Sequence, residues 1–386
     1  MLENFVFMPA KVNDLNDIYD LILTSRSGLT SLPKNKMAIK KYIDDSVDSF
    51  RSSTNLNSKK RFLFVLKEKV QHKVVGISAI TNSINNGNNF KSFKFNKIYV
   101  NDQLDINNSY ISLEDVSSKW SELCSLYLHP DYRYSGVGRF LSMARFLFIF
   151  QHKHLFKNEL IAELRGLSSD NQGSLFWNYV MQPIYKMSFN EALLSISEGK
   201  KIDFDLFPKE NIYLKSLPQE LVSQLGKCHV FTKGAYSILK SESFAESEYI
   251  DVLDAGPKLT GSLAKLNELQ RVKLLEDFSV KQELVNKKYM LVSSGSDYNF
   301  FVYSVIASEQ KNRNELLLNY DNQLKYILSR GQIKYYMNLF PLLSIKKLNS
   351  KFIHNIRTVS KYSLFSNTFS NWYLNAKKEY KKSFYQ

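Results

Sequence analysis

The chain has 386 residues, 44% of them apolar, which is enough for two or three folded units and excludes wholesale disorder or a repeat fibre. Its formal charge of +15 on its face invites nucleic acid or an anionic membrane. Residues 341–386, however, hold nine basic side chains against Glu379 alone, so a short appendage carries over half of the excess and the body is only mildly basic.

Taken in chain order, residues 15–23 have helical spacing, with Leu15, Ile18, Leu21 and Ile22 on one face and Asn13 and Asp14 as cap candidates. Residues 61–66 and 73–80 read as a strand pair, followed by a polar connection around Asn86-Gly87-Asn88. Residues 121–128 form an apolar strand that stops at His129-Pro130. A turn, Arg133-Tyr134-Ser135-Gly136-Val137-Gly138-Arg139, leads into a long helical run over 140–155. Further strands are expected at 160–164, 249–254 and 300–307, with a short amphipathic helix over 233–241. Breaks near 200–210 and 340 divide the chain into 1–205, 206–340 and the extension 341–386.

The two cysteines, Cys124 and Cys228, allow no disulfide framework and fit a reducing compartment. Six scattered histidines without C-x-x-C or H-x-x-x-H spacing give no metal cage, so no metal is expected. The N-terminus has no basic leader, and the apolar stretch 140–150 is broken by Arg145 and too short to span a bilayer, so a cytoplasmic protein is expected. In the extension, lysines alternate with Phe352, Phe365, Trp372 and Tyr373. That pattern suits RNA or a membrane surface, but terminal helices packing their aromatics on the body are the favoured reading.

A strand, a glycine-bearing turn and a helix in succession suit a pyrophosphate. Gly136 and Gly138 let the backbone approach, the helix start offers N–H groups, and Arg133 and Arg139 add charged donors. The spacing R-x-x-G-x-G resembles the coenzyme A loop of the GNAT N-acyltransferases. The chain also resembles the bacterial arginine N-succinyltransferase family in a series of ordered blocks. These include Gly28-Leu29-Thr30-Ser31-Leu32-Pro33, residues 122–133, Leu141-Ser142-Met143-Ala144-Arg145-Phe146-Leu147-Phe148, Ala162-Glu163-Leu164-Arg165-Gly166, Phe176-Trp177, Gly226-Lys227-Cys228-His229 and residues 249–257.

The resemblance implies an α/β (α+β) fold with a GNAT-like core, a mixed and mostly antiparallel sheet flanked by helices, and a second αβ portion. It implies transfer of the succinyl group of succinyl-CoA to the α-amine of L-arginine, the entry step of arginine catabolism. His229 falls on the family's catalytic histidine and Leu126 on its succinyl-CoA contact. Glu122 and Arg165 are candidate substrate residues, for a guanidinium and a succinyl carboxylate respectively, unless Glu163 and Arg165 simply pair across one strand face. A homo-oligomer is compatible with this reading. The chain departs from the family at Met8, Leu175, Asn178, Val230 and Ala255, which leaves coenzyme binding untouched and bears on the acceptor. The alternatives are a related acyl-CoA N-acyltransferase with another amine acceptor such as ornithine, or a non-catalytic binder acting through 341–386.

Overall fold

The strand and helix patterns become, in the computed structural model, a mixed α/β architecture in which the elements run in chain order as follows. The first are β1 (Phe5–Pro9), α1 (Leu15–Leu23), α2 (Lys36–Arg51), β2 (Arg61–Glu68), β3 (Val74–Thr81), β4 (Phe90–Asn96), β5 (Tyr99–Val100) and β6 (Gln103–Leu104). Then come β7 (Tyr110–Val116), β8 (Trp120–Leu128), α3 (Val137–Gln151), β9 (Glu159–Glu163), α4 (Gln182–Tyr185), α5 (Phe189–Ser197) and β10 (Ile212–Tyr213). After these follow α6 (Gln219–Gln224), α7 (Lys233–Ser241), β11 (Ala245–Ile250), β12 (Pro257–Ser262), β13 (Lys273–Leu274) and β14 (Phe278–Lys281). The last are β15 (Lys288–Ser294), β16 (Phe301–Glu309), β17 (Asn314–Leu317) and β18 (Ile333–Asn338).

The structure describes residues 2–25, 32–52, 58–83, 90–116, 120–134, 136–169, 173–198, 200, 203–266, 272–274, 278–281, 288–309, 314–317 and 333–338. Residues 28–31 of the first family block, the Asn86-Gly87-Asn88 turn, Ser135 and the extension 341–386 lie outside the described residues.

The chain divides into two units, one of residues 1–8, 66–73 and 271–386, the other of residues 9–65 and 74–270. In the first, β15 and β16 form an antiparallel hairpin, and β1 joins the far side of β16 with Val6 opposite Tyr303. The hairpin turns at Gly295, where φ is +71° and an added Cβ would stand 2.0 Å from the carbonyl oxygen of Asn299. Only glycine fits that corner.

The second unit holds every residue of the expected site. Its sheet runs β10-β7-β4-β11-β12-β9-β8-β3-β2. All neighbouring pairs given for this stretch are antiparallel except β8 with β9. The eight residues of β3 are all buried, as expected of a strand covered on both faces. Helix α3 packs on β3 and β8, and α7 packs on α3. At the other end of the sheet, Phe93, Phe176, Trp177, Phe189, Phe207 and Ile250 are among the residues of one core.

Two segments differ from their sequence patterns. The helix expected over 140–155 starts at Val137 and ends at Gln151. The strand expected over 249–254 lies instead at Ala245–Ile250. The side chain of Asp251 accepts from the N–H groups of Leu253 and Asp254, and the Ala255 N–H donates to the Asp251 carbonyl. This local turn takes the backbone groups a ladder would need. Among the described residues no helix is long and apolar enough to cross a membrane.

Candidate active site

The sheet opens at its centre. Strands β8 and β9 pair in parallel only from Trp120 with Glu159 to Glu122 with Ile161. On its other side, β8 pairs Ile77 with Tyr127 and Ala79 with Cys124, so Ser125 and Leu126 together face the single residue Ser78. This is a β-bulge, and Ser125 carries its strain at φ +53°. Beyond Glu122 the two strands diverge, and a cavity of about 140 Å³ lies between residues 122–126 on one wall and 162–165 on the other. Arg145 from α3, Thr232, Ala235 and Leu239, and the acidic turn Asp251–Asp254 also line it.

The expected coenzyme turn lies at the end of β8. Gly136 caps α3 with φ +94°, a conformation costly for any residue with a Cβ. At Gly138 an added Cβ would meet only Leu128 Cδ2, at 3.8 Å, so no described protein atom forces glycine there. The bare backbone and the first N–H groups of α3 suit the close approach of an anion. The two arginines are committed to the fold. Arg133 Nε donates to the Leu128 carbonyl at 3.0 Å, with its guanidinium 5.4 Å from the centre of the Tyr127 ring. Arg139 is ion-paired to the buried Glu242 at 2.5 Å and donates to Ser241 Oγ at 3.0 Å.

Three sequence blocks meet at the cavity mouth because two glycines let backbones touch. A Cβ on Gly166 would lie 2.2 Å from the Asp254 carbonyl oxygen, and one on Gly256 would lie 2.1 Å from that of Leu164. Gly166 also bridges to Cys228, and the His229 N–H donates to the Arg165 carbonyl at 2.8 Å. His229 is half-buried, and its Nδ1 accepts from the Phe231 N–H at 3.2 Å. That bond places the proton of the neutral ring on Nε2 and makes Nε2–H a donor. Thr232, one turn on, lines the cavity; the His229 ring does not.

Electrostatically the cavity mixes both signs. Burial, then the nearby Glu163 charge, pushes the Glu122 carboxyl up to about 7. Burial and the neighbouring Asp251 likewise push Asp254 up to about 7. Glu163 is ion-paired to the buried Lys258 rather than to Arg165, so the pairing considered from their alternation does not form. The chain leaves β9 at Glu163, and Arg165 turns to Ser168, donating to its hydroxyl from Nε at 3.1 Å and Nη2 at 2.8 Å. Burial raises the Cys124 thiol strongly and keeps it protonated, a poor nucleophile.

The structure therefore brings Glu122, Leu126 and Arg165 to one cavity, with the His229 backbone at its edge. Gly136 and Gly138 sit at the adjoining helix start, while Arg133 and Arg139 are engaged elsewhere. Asp251 and Asp254 were missed as lining residues because the strand pattern extended over them. Arg145 was read only as a break in an apolar run. None of the family departures Met8, Leu175, Asn178, Val230 and Ala255 lines the cavity.

Comparison with known proteins gives the family. The family model of the arginine N-succinyltransferase beta subunit matches residues 5–268. The arginine N-succinyltransferase of Yersinia pestis (strain Pestoides F) is 30% identical over 315 residues, covering 81% of this chain and 88% of that protein. The arginine N-succinyltransferase subunit beta of Pseudomonas aeruginosa is 32% identical over 269 residues, covering 68% of this chain and 78% of its own. The solved structure of arginine/ornithine succinyltransferase subunit AI from Pseudomonas aeruginosa covers 87% of this chain and 98% of its own with a TM-score of 0.74, and at 23% identity it shows the shared fold. With a model match across most of the chain and relatives at 30% identity or above over more than two thirds of it, the chain belongs to the arginine N-succinyltransferase beta-subunit family of acyltransferases.

Proposed function

We propose that the protein transfers the succinyl group of succinyl-CoA to the α-amine of L-arginine, a cytoplasmic step of arginine catabolism. The observation that carries this reading is the parting of β8 from β9 at a bulge, beside a glycine-opened helix start, in a chain of this family. The diphosphate of the coenzyme lies at Gly136 and Gly138. The thioester carbonyl reaches the bulge at Leu126, where backbone N–H groups stabilise the oxyanion. Arginine enters the cavity with its α-ammonium beside Glu122 and its guanidinium toward Asp251 and Asp254, while Arg165 offers donors to a carboxylate.

The amine attacks the carbonyl directly. A carbon–nitrogen bond forms, the carbon–sulfur bond breaks, and the departing thiolate takes the second proton of the attacking nitrogen while the Nε2–H of His229 donates a hydrogen bond to the sulfur as its charge develops. Glu122, with its carboxyl raised toward neutrality, is suited to take the proton that the attacking ammonium loses. In this reading residues 1–205 supply the coenzyme turn and the acyl strand. The portion 206–340 supplies His229, and 341–386 serves neither step.

The test is thiol release from succinyl-CoA with a panel of amines. Release with L-arginine well above that with ornithine, lysine and agmatine is expected. Release with another amine but not with arginine overturns the acceptor. No release with any amine overturns the activity.

A further inference from the structure

The buried arginine on α3 has no counter-charge among the described residues. Arg145 is 2% exposed, yet its hydrogen bonds among the described residues both go to its own helix: Nε donates to the Ser142 carbonyl at 3.1 Å and Nη2 to the Ser142 hydroxyl at 3.0 Å. Two of five donors are thus used by neutral partners. Among the described residues it makes no ion pair. None of these bonds reaches it from the carboxylates around the cavity: Glu163 pairs with Lys258, Asp251 accepts from the N–H groups of Leu253 and Asp254, and Asp254 accepts from that of Gly256. Glu122 faces the cations Arg61, Lys258 and Lys59, and burial pushes both its carboxyl and the neighbouring Cys124 thiol toward their neutral forms. A lone guanidinium taken out of water is costly, and burial, only partly offset by Cys124, depresses Arg145 to about 10. Its side chain lines the cavity beside Cys124, Ser125 and Leu126, next to the bulge.

We propose that Arg145 is a specificity-determining residue that receives a substrate carboxylate inside this cavity, completing an ion pair that the described residues of the protein leave half-made. The carboxylate has two sources, the free end of a dicarboxylic acyl group or the α-carboxylate of an amino-acid acceptor. The inference rests on the acyl-transfer reading for the identity of the ligands, and its test is a binding measurement independent of turnover.

The experiment compares dissociation constants of the full chain and its Arg145→Met and Arg145→Lys variants for coenzyme A, succinyl-CoA and butyryl-CoA, and for L-arginine and agmatine. Butyryl-CoA keeps the four-carbon acyl chain without the carboxylate, and agmatine is arginine without it. Arg145→Met is expected to weaken one carboxylate-bearing ligand by on the order of 10²-fold against its carboxylate-free counterpart, with coenzyme A affinity unchanged. Arg145→Lys is expected to restore part of that difference. Loss within the acyl-CoA pair assigns the donor's carboxylate, and loss within the arginine–agmatine pair assigns the acceptor's. Equal changes within both pairs in folded variants overturn the proposal. Should neither variant fold, wild-type protein that binds both members of each pair equally overturns it, and discrimination within one pair supports it. Preserved discrimination without any thiol release would sink the proposed activity and leave Arg145's role standing.

Discussion

The His229 N–H donates to the Arg165 carbonyl, and that one 2.8 Å bond ties two segments more than sixty residues apart. It forms because Gly166, the next residue, lies against Asp254 and Cys228 with no room for a side chain. Gly166 and Gly256 therefore set the position of the histidine, although neither carries a functional group.

Replacing either glycine by alanine drives a methyl group to 2.2 or 2.1 Å from a backbone carbonyl oxygen, and backbone cannot rotate away as a side chain would. We expect Gly256→Ala to cost about 3 kcal/mol, at the upper end of overpacking. Urea denaturation measures this. The folded remainder should lose turnover more than coenzyme affinity, since the crossing holds the histidine and not the turn at 136–138.

Little of that crossing could be read from the sequence. The strand, turn and helix over 121–151 were legible because apolar runs and glycines are local signals, and so was the order of blocks that the family shares. The register slip at Ser125 and Leu126 was not, since its cause is a cross-strand mismatch with Ser78. The acidic turn was hidden for a different reason: Tyr249 to Leu253 reads as a strand until the Asp251 side chain is seen capping its own backbone. The isolation of Arg145 shows only when every neighbouring carboxylate has been assigned a partner.

The ring of His229 accepts from Phe231 through Nδ1, which leaves Nε2–H to act as donor. His229→Ala should lower kcat by about 10²–10⁴-fold, with coenzyme affinity within about twofold of the parent. His229→Asn, which keeps an amide donor near the ring's position, should recover part of the loss. Stopped-flow thiol release beside equilibrium coenzyme binding separates the two quantities. Unchanged kcat in the alanine variant removes the histidine from the mechanism.

Ala255 stands at φ +54°, a left-handed conformation that glycine adopts without penalty. The left-handed conformation costs an alanine about 1–2 kcal/mol, and the added chain entropy of glycine in the unfolded state returns about 0.4–1 kcal/mol of that. Ala255→Gly should therefore stabilise the protein by about 0.5–1 kcal/mol, seen as a rise in denaturation midpoint at constant m-value. A fall would mean that the Ala255 methyl group makes packing contacts worth more than the strain.

Arg139 was expected to face the coenzyme and instead neutralises Glu242, which is 1% exposed. Removing the guanidinium leaves a buried carboxylate without its charge partner, so Arg139→Ala should cost about 3–5 kcal/mol. The double variant Arg139→Leu with Glu242→Leu should regain most of it. Coenzyme affinity measured on that double variant isolates any direct contact: affinity within about twofold of the parent assigns Arg139 to the fold alone, and a loss of about tenfold or more restores it to the coenzyme site.

The raised carboxyls give stability a definite pH slope. Glu122 titrates near 7 in the folded chain and near 4.3 when unfolded, so between those values the folded protein holds a proton that the unfolded chain has lost. Its contribution is complete below the unfolded value and is lost as the pH rises through the folded one; Asp254 acts in the same direction. The ligand-free protein should thus lose stability between pH 5 and pH 8, and Glu122→Gln, neutral throughout, should show a shallower decline. Urea midpoints of both proteins across that range measure the slopes. Parallel curves would mean that Glu122 ionises at an ordinary carboxylate value, and with it would go the case for this group as the acceptor of the amine's proton.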